Sequence, residues 1–69
     1  MKIFRRKIAG IETLLTPNEV AEILGIQTET LNHWRHKKRY DLHFVKIGRC
    51  VRYRQADVEK FICDRTVAL

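Results

Sequence analysis

Apolar and polar positions along this chain follow two different periods, and the change of period divides it into elements. Between Leu14 and Arg35, in LLTPNEVAEILGIQTETLNHWR, apolar residues recur three and four apart, the spacing of amphipathic helices. Thr16 is placed to cap a first helix beginning at Pro17, and Glu19, three residues after the cap, can return a bond to the Thr16 amide. Val20, Ala21 and Leu24 then share a face, Gly25 supplies the left-handed conformation that ends the helix, and Ile26 anchors the reversal in the core. Thr28 is expected to cap a second helix in which Leu31 and Trp34 point inward, leaving Glu29, Thr30, Asn32, His33 and Arg35 outside. A small residue at the helix crossing and a glycine turn about four residues later are what a helix-turn-helix requires, and Ala21 and Gly25 supply both.

Beyond the second helix, HKKRYDLHF is a polar, cationic connection, and from Phe44 the period shortens to two. The alternation predicts a hairpin with Gly48, Arg49 and Cys50 as its turn, with Val45, Ile47, Val51 and Tyr53 on the core side and Lys46, Arg52 and Arg54 on the other. Helical spacing returns in QADVEKFICDR, where Val58, Phe61 and Ile62 are expected to close the core. Asp57 and Glu59 near the start of this helix and Arg65 near its end suit its dipole, and it reads as structural. The fold class that follows is small α+β, mostly α: a winged helix-turn-helix of three helices and a two-stranded hairpin wing. Its expected division is a basic arm over residues 1–13, a domain over 14–65 and a tail over 66–69. The arm carries Lys2, Arg5, Arg6 and Lys7 without periodicity, so it is either a disordered phosphate-binding arm or an edge segment that orders on binding.

Charge sharpens this picture. The 69 residues carry a formal net charge of +6, and the stretch from Gln27 to Arg54 holds eight cations against two acids, so the excess lies in that stretch. A basic band that begins in a helix-turn-helix points to nucleic acid. A chain of this length forms one domain with a thin core, burying only about 60% of its unfolded surface. Cys50 and Cys63 form no CxxC pattern, which argues against a disulfide framework or a zinc module and for a reducing, cytoplasmic setting. The basic start MKIFRRK lacks the apolar stretch of a signal peptide, and no run is long enough to span a membrane.

Other chemistries are weaker readings. His33 and His36 lie one turn apart without a paired ligand motif, so phosphate or base contact suits them better than metal. Glu29 and Asp41 have no accompanying nucleophile or phosphate-cradling loop, so no enzyme is expected and no cofactor is implied. Cys50 reads as turn filler rather than a redox switch, and Trp34 as core rather than a base-stacking platform.

The segments LLTPNEVAEILGI, TLNHWR, FVKIGRCVRY and ADVEKFI, in that order, resemble the MerR-like winged helix-turn-helix domain of phage and mobile-element excisionases and AlpA-type prophage regulators. The resemblance runs from about Leu14 to Ile62. It implies a second helix in the major groove, here Thr28 to His36, and a wing in the adjacent minor groove, here Lys46 to Arg52. Full MerR regulators continue into a long dimerisation helix and an effector domain, whereas this sequence stops at Leu69, so half-site palindromy is not assumed here and control is expected to come from protein abundance. The recognition-helix residues are then Thr28, Thr30, Asn32, His33, Arg35 and His36, with Arg35 to guanine and Asn32 to adenine as natural pairs. Lys37, Lys38, Arg39, Lys46, Arg49 and Arg52 are assigned to phosphate or wing contacts, Arg49 at the tip being the minor-groove candidate. The partner is double-stranded DNA, bound by a chain that is monomeric in solution, with cooperative assembly on DNA and an integrase as further options. The expected role is a bacterial, nucleoid-associated excisionase acting as architectural accessory to that integrase. A small prophage or mobile-element transcription regulator is the alternative, and a protein-interaction adaptor the distant one.

Overall fold

The computed structural model describes residues 14–68, so the expectation for the basic arm lies outside the described residues. Three helices and one hairpin make up the fold: α1 Pro17–Leu24, α2 Thr28–Lys37, β1 Val45–Ile47, β2 Cys50–Arg52 and α3 Gln55–Asp64.

Local chemistry builds α1 as the sequence implies. The Glu19 amide donates to Thr16 Oγ1 at 3.2 Å and the Thr16 amide donates to Glu19 Oε1 at 2.9 Å, a complete capping box. At the other end Gly25 has φ +70°, and the amides of Gly25 and Ile26 donate to the carbonyls of Glu22 and Ala21, the paired bonds of a Schellman closure. The second helix begins differently from expectation. Gln27 is its N-cap, without a side-chain capping bond, and Thr28 is its first helical residue. The Thr28 hydroxyl instead donates to Asn18 Oδ1 at 3.0 Å, tying the start of α2 to α1. At its end α2 closes as α1 does, with Lys38 and Arg39 amides donating to the Arg35 and Trp34 carbonyls, but the left-handed position is a lysine, Lys38, at φ +49°.

The hairpin is antiparallel, pairing Val45 with Arg52, Lys46 with Val51 and Ile47 with Cys50. Its turn is therefore the two residues Gly48 and Arg49, and Cys50 opens β2 rather than completing the turn. Gly48 has φ +59°, the left-handed value that tight hairpins demand at the first turn position. This register overturns the expected faces. A loop one residue shorter shifts the parity of the pairing, so Val45 and Ile47 share a face with Cys50 and Arg52, while Lys46 shares the other with Val51. Only the Val51 and Tyr53 side reaches the core, and Ile47 is 55% exposed.

Leu15, Val20, Ala21, Leu31, Tyr53 and Val58 form the buried centre, with Ile23, Leu24, Ile26, Trp34, Leu42 and Val51 packed around it. Leu15 and Tyr53 exchange two backbone hydrogen bonds of 2.8 Å each, stapling the residue before the α1 cap to the residue after β2. Buried Val58 and Phe61 dock α3, whereas Ile62, expected in the core, is 42% exposed. At the far end of α3, Trp34 meets the Tyr40 ring edge-on at 4.7 Å and Phe61 at 6.1 Å. The Arg65 guanidinium lies 3.7 Å from the Phe61 ring centre and closes this cluster.

Candidate nucleic-acid interface

At 100° per residue, the exposed side of α2 is a stripe of Glu29, His33, His36 and Lys37, spaced i, i+4, i+7 and i+8. Leu31 is buried on the opposite side, so the helix has one face for the core and one for solvent. Asn32 and Thr30, both half-buried, flank the stripe on its two edges rather than standing together. Among the residues assigned to the recognition helix, His33, Asn32, His36 and Thr30 thus line one accessible surface. Thr28 is engaged with Asn18 and serves the joint between the helices. Glu29, one of the outward residues that the helical spacing offers as base readers, belongs to the stripe, although it is outside the recognition-helix set given above. Its signal lay in the spacing, the polar counterpart of an apolar helix stripe.

Arg35 departs most from expectation. It is half-buried, its Nε is buried without a hydrogen-bond partner, and its guanidinium lies 5.7 Å from the centre of the Phe44 ring. It also lines a recess with Trp34, Leu42, Phe44 and Tyr53 at the joint between α2 and the wing. Burial pushes the Tyr53 phenol above its ordinary pKa, and the nearby positive Arg35 partly opposes that rise by favouring the phenolate. An arginine whose charge is directed at Tyr53 and Phe44 is pointed into the protein, not along the outer face of α2.

The remaining cations divide by position. Lys37, Lys38 and Arg39 are exposed in succession at the end of α2. On the hairpin, Lys46 and Arg49 are exposed, while Arg52 is half-buried and donates from Nη1 to the Val51 carbonyl at 2.8 Å. Lys46 and Arg52 stand on opposite faces because of the register, so the wing carries cations at its tip and on both sides instead of on one. That distribution suits a ribbon flanked by the phosphates of two strands.

Apart from Glu29 in the stripe and Asp41 in the connection, the acidic residues among those described lie in α1 and α3. Helix α1, PNEVAEIL, has no cation. In α3, Asp57 lies 3.9 Å from Arg54, and Lys60 donates to Asp64 at 2.8 Å, a contact that raises the Lys60 pKa. His43 is paired with Asp41 at 2.9 Å in the connection. No group of three His, Cys, Asp or Glu side chains suited to a metal ion occurs among the described residues. Nor is any helix among them long and apolar enough to cross a membrane.

Three helices with the second presenting a polar stripe, followed by a cationic two-stranded ribbon, define a winged helix-turn-helix, a DNA-binding architecture. The family model described as a helix-turn-helix domain matches residues 14–66, and the chain belongs to that family. No curated protein and no solved structure matches it.

Proposed function

We propose that this protein binds double-stranded DNA sequence-specifically and acts as an excisionase, an architectural accessory to an integrase. The observation carrying the DNA reading is the union of two features in one domain. The α2 stripe of Glu29, His33, His36 and Lys37 is a groove-reading surface, and the adjoining Lys37–Arg39 run and the wing supply phosphate contacts. His33, Asn32 and Glu29 offer donors and acceptors to base edges, Glu29 being suited to a cytosine amino group. Lys37, Lys38, Arg39, Lys46, Arg49 and Arg52 add affinity without sequence preference.

The architectural role is supported by the resemblance of LLTPNEVAEILGI, TLNHWR, FVKIGRCVRY and ADVEKFI to excisionases and AlpA-type regulators, and by a wing with cations on both faces, which can hold a distorted groove. Deforming a site of this size costs of order 1 to 6 kcal/mol, offset by the wing and phosphate contacts. A transcription regulator of the same family is the second reading, favoured by the same helix stripe. Neither role calls for catalysis by this chain.

The test is circular-permutation bending on a site selected by the protein, combined with excision assays in a host carrying the cognate element. Tandem sites, bent DNA and excision lost on deletion support the architectural role. A single site near a promoter, with transcript changes and unchanged excision, favours the regulator. Retained binding to a protein partner by the Glu29→Ala, His33→Ala, His36→Ala triple variant, with no duplex affinity at low salt, would favour an adaptor.

A further inference from the structure

Ile47 is an apolar side chain at the end of the wing with no core behind it. It pairs with Cys50 on the last rung before the Gly48–Arg49 turn and is 55% exposed. Cys50 and Val45 share its face of the ribbon, and cations stand close to it along the chain and across the strands. Arg49 occupies the tip, Arg52 lies on the same face of the ribbon, Lys46 precedes it on the other face, and a Cβ at Gly48 would meet nothing within 4 Å. The half-buried Val45 continues the apolar face toward the body of the domain.

Scattered exposed apolar residues are ordinary on protein surfaces. Ile47 differs from the exposed aromatic residues Tyr40 and Phe44 in what surrounds it. Tyr40 is packed against Trp34 and stacked by Arg65, and Phe44 lies under Arg35 and beside Tyr53. Ile47 stands on the last rung of the ribbon, next to a turn that carries Arg49 and on the face that carries Arg52. The chemical complement of such a tip is a surface with apolar walls and an anionic rim. The minor groove has that composition, with sugar rings and base edges as the floor and walls and phosphates along both margins.

Resting on the DNA-binding reading above, we infer that Ile47 is an apolar wedge that the wing inserts into the minor groove, with Arg49 and Arg52 holding the two phosphate margins. A β-branched side chain entering the groove wedges against a base step and opens it, kinking the duplex toward the major groove. Flexible pyrimidine–purine steps yield at the lowest cost, so the wedge gives sequence preference at base pairs that make no hydrogen bond with the protein. The device assigns separate tasks along the wing: Ile47 sets distortion, and the arginines set affinity.

The test compares Ile47→Ser and Ile47→Met with the unaltered chain on a selected duplex, reading affinity, bend angle and the salt slope. Since Ile47 lies outside the core, both variants are expected to melt as the parent does. Ile47→Ser is expected to bind about tenfold more weakly, with a reduced bend, a weakened preference for flexible steps and an unchanged salt slope, because no charge is removed. Ile47→Met is expected to keep most of the bend. Parent-like binding and bending by Ile47→Ser overturns the wedge while leaving the DNA-binding reading intact. Loss of cooperativity between sites with an unchanged bend at each would make Ile47 a contact between copies and also overturns it. Failure of the unaltered chain to bind any duplex at low salt overturns both readings.

Discussion

Lys38 holds φ +49° where the equivalent closure of α1 uses Gly25. A side chain in the left-handed region costs of order 1 kcal/mol relative to glycine. Under the proposed DNA binding, a cation at this strained position, beside Lys37 and Arg39 at the end of α2, is consistent with a phosphate contact that offsets the cost. Lys38→Gly is therefore expected to raise stability by roughly 1 kcal/mol in chemical denaturation while weakening DNA binding on all sequences alike. Higher stability with unchanged binding would remove Lys38 from the phosphate set. At Arg35 the interior position changes what a substitution should do. Arg35→Met keeps the stem but loses the charge over Phe44 and beside Tyr53, so base preferences in duplex selection should persist while thermal stability falls. Loss of preference for guanine at one position would instead return Arg35 to the groove. Tyr53 gives a pH prediction whose sign is fixed by its raised pKa. The folded state keeps its proton to higher pH than the unfolded chain, so its contribution is fully present below about pH 10 and declines as pH rises through the folded value. Alkaline melting should thus be less steep in pH for Tyr53→Phe than for the parent. Lys60, raised by Asp64, acts in the same direction and remains in both proteins.

The elements differ in how far local chemistry specifies them, and that difference explains what the sequence made legible. Helix α1 was readable in full because its cap, its Pro17 start and its Gly25 stop all act within ten residues. Thr16→Ala should cost about 1 kcal/mol in thermal or urea unfolding, with DNA affinity per folded molecule unchanged; a neutral result would mean that tertiary packing alone positions α1. The wing was legible as a hairpin but not in its parity. Gly48-Arg49-Cys50 serves equally well as a three-residue loop or as a two-residue turn plus one strand residue, and that single residue decides whether Ile47 faces the core or solvent. On α2 the stripe was legible from spacing, whereas the inward course of Arg35 depended on Phe44 and Tyr53, which arrive from distant positions in the chain. At α3, Val58 and Phe61 are buried while Ile62, next to Phe61 along the helix, stays exposed, a choice of face that helical spacing alone leaves open.

Across the whole molecule, function and stability draw on different parts of a small structure. The buried centre is six residues, so each contributes a large share of the total. Leu31→Ala should cost 2 to roughly 5 kcal/mol, comparable with the entire stability expected of a domain this size. Such a variant is expected to be largely unfolded by circular dichroism. The cationic excess lies between Gln27 and Arg54 while most acids lie in α1 and α3, an asymmetry that would orient the approach of a polyanion. Family membership through residues 14–66 makes the helix-turn-helix the working unit. In the proposed function this unit reads duplex DNA through the α2 stripe and binds it through the cations around it. The most direct measurement is selection of random duplexes by the purified chain at two salt concentrations, sequenced and repeated with the Glu29→Ala, His33→Ala pair. An enriched motif that survives higher salt and is lost or altered in the variant is expected, while salt-sensitive binding remains. Absence of duplex binding at low salt, or an identical motif in the variant, would contradict this reading.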